Sequence, residues 1–224
     1  MRGDPSPRRV FLTGGTGYIG SRLIPLLLQR GHAARALTRE SSRDKLPAGC
    51  DPVIGDPLDR ATFTHEMRGC DTVVQLVGVP KPAPWKGAQF RAVDRVSGLA
   101  SIQAATQAGV AHFIYVSVAH PAPVMKDYIA VRTECETTLR GSGLRATILR
   151  PWYIIGPGHW WPLLLKPGYW LYEQIPSTRE SAHRLGLVTL RQMLASLVWA
   201  VEHPPESVRV IEVLEIRAIG SRKR

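Results

Sequence analysis

A cluster of glycines near the start of the chain is the feature that most constrains its fold. An apolar run leads directly into Thr-Gly-Gly-Thr-Gly-Tyr-Ile-Gly at residues 13–20. Leucine and isoleucine then recur at helical spacing over 23–28, and Gly31 follows as a helix stop. This pattern predicts a strand over 9–13, a tight turn, and a helix over 18–30.

The three glycines that lie three residues apart in this turn have separate physical roles. Gly14 permits a tight turn with positive φ, which only glycine adopts at low cost. Gly17 removes the Cβ that would strike a bound pyrophosphate, and Gly20 lets the helix lie close to the sheet. The start of the helix offers unpaired N–H groups and the positive end of its dipole. The spacing therefore predicts a dinucleotide site; a structural turn without a ligand is the alternative.

The fingerprint at residues 13–20 resembles that of the extended and atypical short-chain dehydrogenase/reductases, and the resemblance extends to about residue 158. It implies an α/β fold with a doubly wound, mostly parallel, Rossmann-like sheet, and NAD(P) binding. The superfamily includes oxidoreductases, epimerases and cofactor-binding proteins without catalysis. An oxidoreductase acting on a small carbonyl compound is the leading interpretation, and a non-catalytic regulator, redox sensor or assembly protein is the alternative. The expected cofactor contacts in the turn are Gly14, Thr16, Gly17, Tyr18, Ile19 and Gly20.

The length of 224 residues suits one such domain with a small C-terminal lobe. We expect a disordered tail over 1–8, the NAD(P)-binding domain over 9–158, a cap segment over 159–216 whose last helix and strand return to that domain, and a basic tail over 217–224. The stretch 159–172 is rich in tryptophan and tyrosine. It is interpreted as a cover for an apolar substrate, as a membrane-surface contact, or as packing against the domain.

Charge and cysteine content limit the classes of partner. The formal net charge of +11 is scattered and partly lies in the two ends, without a nucleic-acid-binding motif, so an anionic cofactor or substrate is favoured over nucleic acid. Cys50, Cys70 and Cys135 lack metal-ligand spacing, which predicts a reduced, cytoplasmic protein without a metal site. No apolar run is long enough to predict a transmembrane helix. Substrate and oligomeric state stay open.

The residues after the second predicted strand, 33–38, bear on the choice of cofactor. An acidic residue about 20 positions beyond the glycines would bind a ribose hydroxyl and favour NAD. Arg39 follows that position instead, with Arg43 and Lys45 nearby, and a guanidinium matches a 2′-phosphate. We therefore predict a preference for NADP(H), while Glu40 keeps NAD(H) open.

The resemblance implies further cofactor contacts after three other strands. Asp56 and Leu58, in Gly-Asp-Pro-Leu-Asp, are expected beside the adenine, although Asp59 also suits a helix N-cap. The end of the fourth strand is expected under the nicotinamide-side ribose, and an Arg-Pro…Gly-Pro-Gly turn after the sixth is expected near the nicotinamide amide. These contacts are Leu76, Val77 and Gly78, and Pro151, Trp152 and Tyr153.

The candidate catalytic residues follow the fifth predicted strand. In the superfamily a serine at this strand end orients a carbonyl, a tyrosine exchanges the proton, and a lysine four residues later holds the ribose and lowers the tyrosine pKa. Ser117, Tyr128 and Arg132 occupy these positions, so an arginine replaces the lysine. Arginine retains the charge but has a different shape. The alternative is that Ser117 and Tyr128 line the cofactor but take no part in a reaction. The loop 79–87 is interpreted as a pocket wall or a plain connector.

Overall fold

A computed structural model describes residues 6–122, 124–158 and 185–221. Its main sheet has seven strands, all parallel, in the order β3-β2-β1-β4-β5-β6-β9. These strands are β1 (Arg9–Thr13), β2 (Ala33–Thr38), β3 (Asp51–Ile54), β4 (Thr72–Gln75), β5 (His112–Val116), β6 (Arg145–Arg150) and β9 (Val208–Glu212). A separate parallel pair joins β7 (Tyr153–Ile155) to β8 (Leu187–Thr189).

Helices connect the strands and cover both faces of the main sheet. They are α1 (Gly20–Gln29), α2 (Gly87–Gln89), α3 (Val96–Ala108), α4 (Lys126–Gly141), α5 (Leu190–Glu202) and α6 (Val213–Ser221). A π-helical segment, Phe90–Arg95, lies between α2 and α3. The chain order of strands reverses between β1 and β4, so the switch point of the sheet lies beside the glycine turn. The doubly wound α/β fold is thereby confirmed.

Each central strand is buried on both faces, as expected for a parallel sheet with helices on either side. Val10 and Leu12 of β1 face a cluster that includes Leu27 of α1 and residues of α5 and α6. Phe11, between them, faces the opposite cluster, which includes Leu139 of α4. Successive side chains of β1 therefore point to opposite faces of the sheet and pack into two separate hydrophobic layers.

Two segments differ from their expected structure. The sequence over 89–108 predicts one long amphipathic helix, but residues Phe90–Arg95 within it are π-helical, and one extra residue per turn changes the direction of their side chains. The helix α6, Val213–Ser221, continues across the boundary at residue 216 where the basic tail is predicted to begin. Gly220 packs so closely on α5 that an added Cβ would lie 2.5 Å from the Gln192 Cα. The aromatic stretch 159–172 lies outside the described residues.

Candidate functional site

The glycine turn has the geometry that the sequence predicts. Gly14 has φ +72°, and its carbonyl oxygen accepts a hydrogen bond of 3.0 Å from the Gly17 N–H. A Cβ on Gly20 would lie 2.3 Å from the Gly14 carbonyl oxygen and 2.8 Å from the Gly15 Cα. Gly20 is therefore required for the first turn of α1 to pack on the loop itself, and not only on the sheet.

The start of α1 is arranged to accept an anion. Its first turn carries no acidic side chain, and Ile19 at the N-cap provides no side-chain hydrogen bond. Gly17 is exposed, and Thr16 and Tyr18 are half-buried beside it. The Arg22 guanidinium lies 4.6 Å from the centre of the Tyr18 ring and donates to the Tyr18 carbonyl oxygen. Helix N–H groups without an acidic cap fit a pyrophosphate at this turn.

The loops after β1 and β4 contact each other. The Thr13 hydroxyl hydrogen-bonds the Gln75 side chain and accepts from the Leu76 N–H at 3.2 Å. A Cβ on Gly14 would lie 3.0 Å from the Leu76 carbonyl carbon. The structure therefore brings the predicted contacts at 76–78 to the edge of the glycine turn, which is the arrangement that a dinucleotide spanning both loops needs.

Arg39 lies exposed directly after β2. In the described part of the chain no carboxylate lies within ion-pair distance of its guanidinium, whereas Glu40 lies 3.9 Å from Arg43. The arginine is therefore available to an external anion, and the acidic residue that would favour a ribose hydroxyl is already beside a cation.

The turn after β3 holds the predicted adenine contacts. An Asp56 carboxylate oxygen accepts from the Leu58 N–H at 2.9 Å, and the Leu58 side chain is 40% exposed. Asp59 accepts from the Ala61 N–H at 3.0 Å, which confirms it as the N-cap of the short helix Arg60–Thr62. An exposed leucine on a rigid turn is consistent with stacking against a base.

Tyr128 and Arg132 lie together on one face of α4. The Tyr128 ring packs against the Phe90 ring at 4.9 Å, and the Arg132 guanidinium lies 5.0 Å from the centre of the Tyr128 ring. Burial raises the pKa of Tyr128, and the nearby Arg132 charge offsets only part of that rise. The phenol therefore remains protonated at neutral pH.

The Arg132 guanidinium is buried in a polar network. It forms an ion pair with the fully buried Asp94, donates to the Val116 carbonyl oxygen at 2.9 Å, and lies 3.4 Å from the Tyr115 hydroxyl. Its Nε is buried and has no hydrogen-bond partner among the described residues. A Cβ on Gly78 would lie 2.6 Å from Arg132 Nη2. A buried guanidinium that lies against the 76–78 loop and retains an unpartnered Nε–H fits a cofactor with ribose hydroxyls.

Ser117 belongs to a different buried network. Its hydroxyl donates to a Glu136 carboxylate oxygen at 2.6 Å, and Glu136 also forms an ion pair with Arg150. Arg150 in turn lies 2.9 Å from Glu212 at the edge of the sheet. The structure thus brings Tyr128 and Arg132 together but commits the Ser117 hydroxyl to Glu136. Its predicted role in orienting a carbonyl stays a prediction.

The loop after β6 continues this edge of the site. Pro151 is buried, and its carbonyl oxygen accepts from the Ala119 N–H at 2.9 Å. The Trp152 and Tyr153 rings meet edge to face at 5.3 Å. The hydrogen bond ties the loop after β6 to the loop after β5, which carries Ser117.

Sequence reasoning missed two residues of the site, Phe90 and Asp94. Both lie in the π-helical segment, within a stretch that resembles an ordinary amphipathic helix. The one available signal was an acidic residue within a mostly apolar helix face.

In the ranges that the structure describes, no cluster of potential ligands suits a metal ion, and no helix is long and apolar enough to cross a membrane. Cys50, Cys70 and Cys135 are all free thiols.

A groove of about 590 Å³ lies between the C-terminal half of α1 and α5. Leu26, Ile155 and Leu194 are among its lining residues. One wall of the groove approaches the glycine turn, because an added Cβ on the lining residue Gly156 would lie 2.4 Å from the Tyr18 hydroxyl oxygen.

Comparisons with known proteins agree with this geometry. A family described as NAD(P)H-binding matches residues 14–156. A farnesyl-dihydroquinoline-oxide ketoreductase of Stigmatella aurantiaca is 28% identical over 170 residues, covering 66% of this chain and 51% of the relative. A ceramide reductase of Caulobacter vibrioides is 30% identical over 154 residues, covering 66% and 47%. The chain thus spans about half the length of these curated relatives.

The fold also matches solved structures. The Bordetella bronchiseptica enzyme WbmH in complex with NAD⁺ superimposes with a TM-score of 0.66 at 21% identity, over 92% of this chain and 76% of that one. The family match covers the glycine turn, the 76–78 loop and the Tyr128–Arg132 pair. The chain therefore belongs to the NAD(P)H-binding family of Rossmann-fold proteins, within the short-chain dehydrogenase/reductase superfamily.

Proposed function

We propose that this protein is an NADP(H)-dependent reductase of a carbonyl compound, in which Tyr128 donates the proton. The observation that carries the proposal is the position of Tyr128, held between Phe90 and Arg132 near the 76–78 loop. The matched relatives named as a ketoreductase and a ceramide reductase support the same class of reaction.

Tyr128 carries the proton that the reduction of a carbonyl requires. Held at the glycine turn and the 76–78 loop, NADPH would supply the hydride that reduces the carbonyl carbon, and NADP⁺ would be the other product. The carbonyl π electrons then reside on oxygen, and the Tyr128 phenol gives that oxygen its proton to complete the alcohol. Because burial raises the pKa of Tyr128, the proton-donating form is the abundant one at neutral pH. Arg132 keeps a positive charge beside the phenolate that forms.

Replacement of Tyr128 with phenylalanine tests this role. The ring and its packing on Phe90 are retained, so folding and nucleotide affinity should stay close to wild type, whereas turnover should fall by about 10²–10⁴-fold. The measurement is loss of NADPH absorbance with a panel of aliphatic and aromatic aldehydes and ketones. Unchanged turnover in the variant would remove Tyr128 from the mechanism.

The preference for the 2′-phosphate rests on Arg39. Its exposed guanidinium has no ion-pair partner in the described ranges, so Arg39→Ala should weaken NADPH binding about 10–100-fold and leave NADH binding within about twofold. Calorimetric titration with both nucleotides measures the difference. Arg140→Ala, which removes an exposed cation in the last turn of α4, is the matched control and should leave both affinities unchanged. Equal losses for NADPH and NADH in Arg39→Ala would contradict the assignment.

A non-catalytic NAD(P)-binding regulator is the second candidate, and one observation favours it. The Ser117 hydroxyl, which would orient a substrate carbonyl, is already donated to buried Glu136. A wild-type protein that binds NADPH tightly but reduces no carbonyl in the panel would support this candidate over the reductase.

A further inference from the structure

We propose that Asp94 is a positioning residue, which joins the nicotinamide-side loop at 76–79 to the Tyr128–Arg132 pair and holds the arginine in its working position. The role of the pair in chemistry rests on the proposed function. The link between loop and pair rests on geometry alone, and it is tested through nucleotide binding.

Asp94 makes one contact with each side of the site. One carboxylate oxygen accepts from the Val79 N–H at 3.0 Å, directly after the loop that contacts the glycine turn. The other forms the ion pair with Arg132 Nη2. The carboxylate thus bridges the chain after β4 and the face of α4 that carries Tyr128, so a shift of either part is transmitted to the other.

The two charges depend on each other because both are buried. The Asp94 side chain is fully buried and that of Arg132 is only 7% exposed. A buried charge left without its partner is strongly destabilising, whereas removal of both charges is often tolerated. An arginine at position 132 therefore requires an anion beside it, and Asp94 is the carboxylate that forms its ion pair.

The network fixes the plane of the guanidinium. Asp94 holds Nη2, and the Val116 carbonyl oxygen holds Nη1. The cationic face then lies against the Tyr128 ring, and Nε is left as the buried donor without a partner in the described residues. With the guanidinium fixed in this way, Nε is a donor left for a hydroxyl of the nicotinamide-side ribose.

The local backbone explains how Asp94 reaches this position. Phe90 and Asp94 both lie in the π-helical segment Phe90–Arg95, and each contacts one member of the Tyr128–Arg132 pair. Single π turns inside α-helices are frequent at functional sites, where they change the direction of side chains. A Cβ on Gly78 would lie 2.9 Å from the Asp94 carboxylate, so the loop approaches the ion pair as closely as glycine allows.

The test compares whole nucleotides with their adenosine halves. Asp94→Asn should weaken binding of NADPH by about tenfold or more but change binding of 2′,5′-ADP by less than about twofold, because only the nicotinamide half meets the bridged loop. NADH and ADP form the second pair of probes. Asp127→Asn, which removes an exposed carboxylate 3.8 Å from Arg91, is the matched control and should leave all four affinities unchanged.

A second variant shows whether the loss of affinity is caused only by destabilisation from the unpaired buried charge. Asp94→Asn/Arg132→Gln removes both charges, so it should melt at a higher temperature than Asp94→Asn alone while keeping the selective loss of NADPH affinity. If Asp94→Asn lowers the affinities for NADPH and 2′,5′-ADP equally, or lowers neither, the proposal is overturned. If wild type binds NADPH but reduces no carbonyl, the proposed function fails. The role of Asp94 is still decided by comparing how far Asp94→Asn lowers the affinity for NADPH and for 2′,5′-ADP.

Discussion

Replacement of Gly20 with alanine is expected to abolish measurable NADPH binding and to destabilise the protein. The added Cβ would lie 2.3 Å from the Gly14 carbonyl oxygen and within 2.9 Å of two Gly15 atoms, all of them backbone. Backbone atoms cannot rotate away as a flexible side chain does, so the turn and the start of α1 must separate. Overpacking of this kind costs about 1–3 kcal/mol. The separation also moves the N–H groups that would bind the pyrophosphate.

Gly141→Ala provides the matched control for Gly20→Ala. Gly141 ends α4 and has no heavy atom within 4 Å of an added Cβ, so the substitution should leave nucleotide binding unchanged and stability within about 0.5 kcal/mol. Urea unfolding and calorimetric titration with NADPH measure both effects. Tight NADPH binding by Gly20→Ala would show that the turn is not the pyrophosphate site.

The fold was predictable because its signals are local. The bounds of β1 and β2 agree with the predicted 9–13 and 33–38, since each is an apolar run closed by a turn or a polar loop. The π-helical segment was not predictable, because one extra residue per turn barely alters the apolar spacing that marks a helix. The basic composition after residue 217 likewise concealed the end of α6, which packs on α5.

The site was only partly predictable, because its decisive contacts join distant parts of the chain. Glycine spacing identifies a turn, and the i, i+4 spacing of Tyr128 and Arg132 places them on one helix face. The Asp94–Arg132 ion pair spans 38 residues, and which carboxylate reaches the guanidinium depends on how the π-helical segment packs on α4. The same applies to Ser117, whose hydroxyl meets Glu136 because side chains of α4 reach the end of β5.

Replacement of Arg150 with methionine is expected to destabilise the protein by about 3–5 kcal/mol. Arg150 donates to both carboxylate oxygens of Glu136, whose side chain is only 3% exposed. Without it, the Ser117 hydroxyl is the remaining donor that the structure shows for a buried negative charge. Arg145→Met is the matched control, since Arg145 is exposed on the same strand, and its loss should cost less than about 1 kcal/mol. Equal effects of the two substitutions in urea unfolding would contradict the expected burial cost.

The same measurement separates two roles for Ser117. If its hydroxyl serves chiefly to satisfy Glu136, Ser117→Ala should lower stability by about 1.5–3 kcal/mol, the range for hydrogen bonds to charged groups. If the hydroxyl instead orients a substrate carbonyl, carbonyl reduction should fall while stability changes little. The 2.6 Å hydrogen bond to a buried carboxylate favours the first outcome, because a substrate carbonyl would have to displace Glu136 as the acceptor. Tyr128 and Arg132 would then form the reactive pair without a serine partner.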